Sequence, residues 1–191
     1  TEVQILRQKL ASLTSRCELL EEARKNYEGF SQGTKAILKE IGQKNPDFQR
    51  YHGVLADLLE VAPGYERAVE ELLGPAVQAL VAEDEEAVRK GVRYLEAQGL
   101  GRAHFIALSS FKKGRRGEGN VLDKVTTQEP YQALLASLVG DAHIIEDIEK
   151  IPFHETEKTA VTVRGELYRQ GIFTGGSPLS EGMGLIGREK K

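Results

Sequence analysis

Two separate stretches of the sequence follow the same plan, and this internal repeat limits what the chain can fold into. Residues 65–74 align without a gap on residues 131–140, and each stretch has a helical apolar pattern that ends at a glycine. The apolar run 77–81 and the acidic pair after it then match residues 143–145 and their acidic pair, once three residues are dropped. Helix, glycine and strand in the same order predict two related halves. A chance match between two common helix–strand units is the alternative.

Short apolar segments of strand length alternate with helical patterns through both halves. The strand-like segments are 53–61, 77–81, 103–108, 159–164 and 166–170, and the helical ones are 65–73 and 83–95. The last two strands flank a turn at Gly165. Because strands that alternate with helices favour a mixed sheet with crossover helices, the expected fold class is α+β (mixed α/β), with two pseudo-repeated helix and sheet halves.

The N-terminal segment differs, because its apolar residues recur at alternating spacings of four and three. This seam consists of Leu6, Leu10, Leu13, Cys17, Leu20 and Tyr27, with Arg24 as its one interruption. A strict two-in-seven stripe favours a coiled coil, which needs a second helix to bury it, whereas a helix lying on its own globular domain is the alternative. Cys17 is interpreted as a small buried apolar residue on this stripe, not as a nucleophile. After a glycine break at 29–33, a short helix is predicted at 34–41.

The composition is that of a globular chain. With 26 Lys+Arg against 29 Asp+Glu among 191 residues, the formal net charge is -3, so no overall positive field attracts nucleic acid. Hydrophobic residues make up 40% of the chain and charged residues 29%, which excludes the disordered and membrane classes. A single Cys, with no signal-peptide pattern and no apolar run long enough to span a bilayer, predicts a cytoplasmic protein.

No pattern in the sequence predicts catalysis or a metal centre. Gly182, Gly184 and Gly187 match the letters of a dinucleotide-binding fingerprint, but the sequence has no room for the acidic residue that this fingerprint needs about 20 positions further on, or for its second strand. A phosphate loop would need a Gly-Lys dipeptide, which does not occur, and no two histidines have a metal-binding spacing. The acidic run 83–86 begins a predicted helix. The positive end of the helix dipole stabilises carboxylates at that position, so capping is the expected role of this run. We therefore expect a fragment that is not an enzyme, with no catalytic residue, metal or cofactor.

Glycines cluster towards the C-terminal end of the sequence. Seven of the 20 glycines are at positions 165, 171, 175, 176, 182, 184 and 187. Glycines in or beside strands mark bulges or the close approach of another backbone, which could belong to a second subunit. Ile172 and Phe173 are apolar residues that favour strands, which argues against a merely flexible loop.

The order of these features resembles the hinge domain of SMC proteins, the long coiled-coil ATPases of chromosome organisation, in their prokaryotic form. The residues that carry the resemblance are 53–61, 63–74, Glu83-Asp84, 101–105 and 171–177. It extends over residues 36–191, and the Gly-x-x-x-Gly-Gly segment that follows a strand is its most specific part.

The resemblance divides the chain into six parts. These are a coiled-coil segment at 1–30, a connecting helix and linker at 31–50, the first half of the hinge at 51–111, a basic glycine-rich connector at 112–120, the second half with the glycine segment at 121–180, and the start of a returning coiled coil at 181–191. Two departures from the family pattern concern the second half. The gap from Gly165 to Gly171 is one residue shorter than usual, and the stretch between residues 148 and 159 is abbreviated.

The resemblance implies a dimerisation module that joins two SMC chains and contributes to DNA entrapment in chromosome condensation and segregation at the nucleoid. The expected partner is a second hinge, most simply an identical one. ATP and Mg are expected only at the head domains of the longer chain. The implied interface residues are Gly165, Gly171, Ile172, Phe173, Gly175 and Gly176.

DNA binding by the domain itself is the alternative function. The densest cationic group is Lys112, Lys113, Arg115 and Arg116, and Arg188, Lys190 and Lys191 lie near the coiled-coil root. Phosphate contacts by these residues would give weak, non-specific and salt-sensitive binding. A solvated loop that keeps the domain soluble is an equally good interpretation. No membrane or small-molecule partner is expected, and the failed motifs disfavour a small-molecule enzyme.

Overall fold

The computed structural model describes residues 2–25, 27, 29–111, 119–151, 157–176 and 186. Its helices are α1 (Glu2–Lys25), α2 (Gln32–Gly42), α3 (Glu66–Leu73), α4 (Glu85–Gln98) and α5 (Gln132–Val139). Its strands are β1 (Tyr51–Val54), β2 (Glu60–Val61), β3 (Leu80–Ala82), β4 (Phe105–Ala107), β5 (Val125–Thr126), β6 (Ala142–Ile145), β7 (Thr159–Thr162), β8 (Leu167–Arg169) and β9 (Ile172–Thr174). Among the described residues, none of the helices combines the length and apolar content of a membrane span.

The strands form three small sheets. The first has the order β1-β3-β4, with β1 antiparallel and β4 parallel to β3. The second is the β2-β5 ribbon, and the third has the order β6-β7-β8-β9, with β6 parallel to β7 and the other pairs antiparallel. Helices and mixed sheets occur together in both halves, so the predicted α+β class is confirmed.

The internal repeat is present in three dimensions. Helices α3 and α5 have eight residues each, and each is followed by a strand that pairs in parallel with the next long strand of its sheet. The repeat also extends further back than the helices, since the 3-10 turns Leu55–Leu58 and Val121–Lys124 occupy equivalent places before β2 and β5. Strands β2 and β5 pair antiparallel, which relates the two halves by an approximate two-fold axis.

The two halves share one hydrophobic core, which includes buried residues of α3, α5 and β3 as well as Val161 of β7. Next to the β2-β5 ribbon, Ala62 N donates to Lys124 O at 2.8 Å and Thr127 Oγ1 donates to Leu58 O at 2.7 Å. The ammonium of Lys124 lies 5.1 Å from the centre of the Tyr65 ring. The halves are therefore fixed to each other by backbone pairing and by apolar packing.

One strand differs from its prediction. Residues 77–81 were expected to form a strand, but Gly74–Gln78 is a 3-10 helix and the strand is Leu80–Ala82. Pro75 explains the difference, because its ring fixes φ at a helical value and it has no N–H to donate to a sheet. Similarly, the strand-like run 53–61 is two short strands separated by a 3-10 turn.

The heptad pattern forms a helix, as predicted, and its described apolar side chains face solvent. Leu6, Leu10 and Leu13 are each more than half exposed. The alternative, in which α1 packs on its own globular domain, is wrong for these residues, and no described residue covers them. The side chain of Cys17 lies outside the described part, so its predicted burial stays a prediction.

Helix α2, in contrast, belongs to the globular domain. Ile37 and Leu38 are buried in the core, and a Cβ on Gly33 would lie 2.5 Å from Arg102 O, so only glycine permits this approach. Glu40 accepts hydrogen bonds from Asn45 Nδ2 at 2.7 Å and from Tyr94 Oη of α4 at 2.8 Å. These two bonds, the one from Asn45 first, lower the pKa of the Glu40 carboxyl.

The acidic run 83–86 starts α4, as predicted. Asp84 Oδ1 accepts from Ala87 N at 3.0 Å, which satisfies one of the free N–H groups at the helix start. Arg50 pairs with Asp84 and, through Nε, with Glu83 Oε2 at 2.9 Å. The bond from Ala87 and the neighbouring guanidinium lower the pKa of Asp84. These ion pairs connect the residue that precedes β1 with the N-terminal end of α4.

Candidate assembly surface

The glycine segment forms a β-hairpin at the edge of the second half. Strands β8 and β9 pair in register Leu167↔Thr174, Tyr168↔Phe173 and Arg169↔Ile172. The two connecting residues, Gln170 and Gly171, have φ values of 52° and 77°. Positive φ at both central residues is the type I′ pattern, whose twist matches that of the paired strands. Gly171 therefore supplies one of the two positive φ values that this turn requires.

Strand β9 is the open edge of the four-stranded sheet. Within the described chain, β8 is the strand that pairs with β9, and no described strand lies on its outer side. Its three residues are exposed, with 69% of the Ile172 surface and 38% of the Phe173 surface accessible. An exposed apolar edge strand of this kind favours pairing with a further strand.

The remaining glycines have different surroundings. Gly165 lies in the β7–β8 turn with φ +87°, and a Cβ there would be 3.0 Å from Arg67 and Glu71 of α3. It therefore allows the turn to pack on a helix of the same chain. Gly175 lies beside the Phe173 ring, whose Cε1 would be 2.8 Å from an added Cβ. Gly176, with φ +117°, has open space around the position of its Cβ.

The hairpin is held on the domain by α3. Arg169 Nη2 donates to Leu72 O at 2.7 Å, close to the C-terminal end of that helix, where free carbonyl groups favour a cation. The side chain of Tyr168, in the middle of β8, is almost completely buried. Strand β8, on which the edge strand β9 pairs, is therefore fixed to the domain by this hydrogen bond and by the burial of Tyr168.

A second open edge lies in the first half. Within the described residues, β4 pairs only with β3, and its three residues are half-buried. Helix α4 supports β4 from one face because Gly91 leaves room for Phe105, whose Cε1 would be only 2.8 Å from an added Cβ. The Phe105 ring also packs edge-on against Tyr51, and burial raises the pKa of Tyr51 to about 12. The sequence pattern did not single out this edge.

The cationic residues predicted from the sequence fall outside the part of the chain that the structure describes. These residues are Lys112, Lys113, Arg115, Arg116, Arg188, Lys190 and Lys191. In the part of the chain that the structure does describe, no three His, Cys, Asp or Glu side chains come together to hold a metal ion.

Comparison with known proteins agrees with the two-half architecture. The family model for the flexible hinge domain of SMC proteins matches residues 48–150, which is more than half of the chain. The chain belongs to the SMC hinge family. Chromosome partition protein Smc of Myxococcus xanthus is 33% identical over 206 residues, covering 100% of this chain and 17% of that protein. The Smc protein of Bacillus subtilis is 28% identical over 197 residues, covering 93% and 16%. This hinge thus spans about a sixth of the length of these curated relatives.

Solved SMC hinges have the same fold. The Geobacillus stearothermophilus SMC hinge domain, crystallised as an asymmetric dimer, superposes with a TM-score of 0.76 at 30% identity, covering 96% of this chain and 79% of that one. The Pyrococcus furiosus SMC hinge domain superposes with a TM-score of 0.68 at 25% identity, covering 86% and 90%. The relatives are prokaryotic, as the sequence resemblance predicted.

Proposed function

We propose that this hinge joins two SMC chains by adding strand β9 of one copy to the free edge of strand β4 of the other. The observation that carries the proposal is the exposed apolar edge strand β9, together with a second edge strand, β4, in the opposite half. Two strands that meet edge to edge satisfy each other's peptide groups while they bury Ile172 and Phe173.

A two-fold arrangement makes this contact self-limiting. In a symmetric pair, β9 of each copy meets β4 of the other, so both open edges of both copies are used. The result is a closed ring of two chains instead of an extending fibre. The solved hinge of Geobacillus stearothermophilus is a dimer, which supports this stoichiometry.

The cellular role follows from this assembly. The exposed heptad seam of α1 offers a place for a second coiled-coil helix, and the relatives that share this hinge are about six times longer. We therefore assign to the hinge a non-catalytic part in a chromosome-organising ATPase at the nucleoid, where two joined arms enclose DNA. ATP and Mg belong to the rest of that longer protein.

The test is a complementation experiment with one charged residue on each edge. Ile172→Lys alters β9 and Ala107→Lys alters β4, and each variant alone should sediment as a folded monomer at concentrations where the natural chain is a dimer. An equimolar mixture should form dimers again, because one β9–β4 contact remains intact. Val92→Lys, on the exposed side of α4, is the matched control and should stay dimeric.

Other sedimentation results would show which of the two strand edges is assigned wrongly. If Ala107→Lys remained dimeric while Ile172→Lys became monomeric, β9 would pair with something other than β4. If both variants stayed dimeric with unchanged dissociation constants, neither edge would be the contact. Circular dichroism melts of each variant separate loss of association from loss of folding.

A further inference from the structure

Within the described residues, the edge of the four-stranded sheet opposite β9 is closed by the side chain of Asn120. Asn120 Oδ1 accepts from Ile144 N at 2.6 Å, and Asn120 Nδ2 donates to Ile144 O at 3.3 Å. Ile144 lies in β6, the other edge strand of that sheet. An asparagine amide carries a donor and an acceptor side by side, as a peptide group does. Asn120 therefore bonds to β6 as one residue of a neighbouring strand would.

Gly119 brings the backbone close enough for this contact. Its N–H donates to Gly140 O at 2.9 Å, just before β6 begins. A Cβ at position 119 would lie 2.6 Å from Ala142 N and closer still to the carbonyl oxygen of the same residue. Any side chain at this position would push residues 119–120 away from the sheet, so only glycine fits here.

The internal repeat shows what Asn120 replaces. The ungapped alignment of the two halves places Gly53 on Gly119 and Val54 on Asn120. In the first half, Gly53 and Val54 belong to β1 and pair through their backbones with Val81 and Leu80 of β3. At the equivalent place in the second half, the amide side chain of Asn120 makes the bonds to the sheet.

We infer that Asn120 is a specificity-determining residue for assembly, which closes the β6 edge so that a second copy adds to the four-stranded sheet at β9 and not at β6. This inference rests on the proposed edge-to-edge dimer. Both hydrogen bonds of Asn120 are exposed to solvent, so a strand of another copy could reach Ile144 if the amide were absent. Without it, β6 presents a free N–H and C=O beside half-buried apolar residues, and such an edge pairs with other chains.

The experiment places Asn120→Ala in the Ile172→Lys background, where the proposed β9 contact is removed. We expect the Ile172→Lys chain to be monomeric and the double variant to associate again as concentration rises in sedimentation velocity. Hydrogen exchange of the Ile144 amide, measured by NMR, should be at least tenfold faster with Asn120→Ala. Ser137→Ala, which removes an exposed hydroxyl from α5, is the control and should change neither result.

The outcomes distinguish a failure of this inference from a failure of the proposed function. An Ile144 amide whose exchange is unchanged by Asn120→Ala overturns the inference, and so does a double variant that stays monomeric despite faster exchange. If Ile172→Lys alone remained a dimer, the β9 contact would be refuted. Asn120→Ala in the natural chain would then decide the matter, because species heavier than a dimer support a closed β6 edge and their absence refutes it.

Discussion

Truncation of Ile172 to alanine gives a quantitative test of the β9 edge. The change removes three carbons from a residue with 69% of its surface exposed, so it should leave the free energy of unfolding of the monomer nearly unchanged. At about 0.8 kcal/mol per buried CH₂, burial of the exposed part of those carbons in a dimer contributes about 1.6 kcal/mol for each β9 strand. A two-fold dimer contains two such strands, so the loss is about 3 kcal/mol, or roughly a 200-fold rise in Kd.

The measurement is sedimentation equilibrium over a range of concentrations that spans the dissociation constant. Val92→Ala is the matched control, because Val92 is an exposed apolar residue of α4 with 37% of its surface accessible and no place on either sheet edge. Urea unfolding of both variants checks that the fold is kept. A change in Kd of less than about threefold for Ile172→Ala, or an equal change for Val92→Ala, would refute the assignment of β9 as the contact.

Two further predictions concern the stability of the first half. Gly91→Ala should lower the free energy of unfolding by about 1–3 kcal/mol in urea titrations, because an added Cβ would overlap Tyr51 Oη and the Phe105 ring. An unchanged midpoint of unfolding would show that α4 can move away freely. Hydrogen bonds lower the pKa of Glu40 below its ordinary value of 4.5, so their contribution to stability is complete above that pH and is lost as the pH falls through the lowered value. Glu40→Gln should flatten the stability profile as the pH falls below 4.5, and an unaltered profile would contradict this role.

Much of the local structure could be predicted from the sequence. The repeat between 65–74 and 131–140 gave two helices that end at or just before their glycines, and the four-three spacing gave the N-terminal helix. These patterns reflect interactions between residues a few positions apart, which the sequence contains directly. The strand predicted at 77–81 begins only at Leu80, because the helical preference set by Pro75 outweighed the first part of the apolar run.

Each glycine of the segment was predicted to lie at an interface, whereas the structure gives two of them roles within the chain. Gly171 supplies positive φ in a two-residue turn, and Gly165 allows a turn to pack on α3, two purposes within a single chain. A glycine in a sequence does not show which of its properties is used, because that depends on the residues brought next to it by folding. Contact of these glycines with a second copy stays a prediction, whereas Ile172 and Phe173 lie on the open edge.

Sequence alone determined where most of the helices and several of the strands form, and that the two halves share one plan, because periodicity and turn residues act locally. Tertiary structure decided which strand edges are open. Within the described residues β9 pairs only with strand β8 and β4 only with strand β3, while β6 is closed by the amide of Asn120, which looks in the sequence like any polar loop residue. Edges are set by hydrogen bonds between residues far apart in the chain, and the availability of those bonds determines how a folded hinge can assemble.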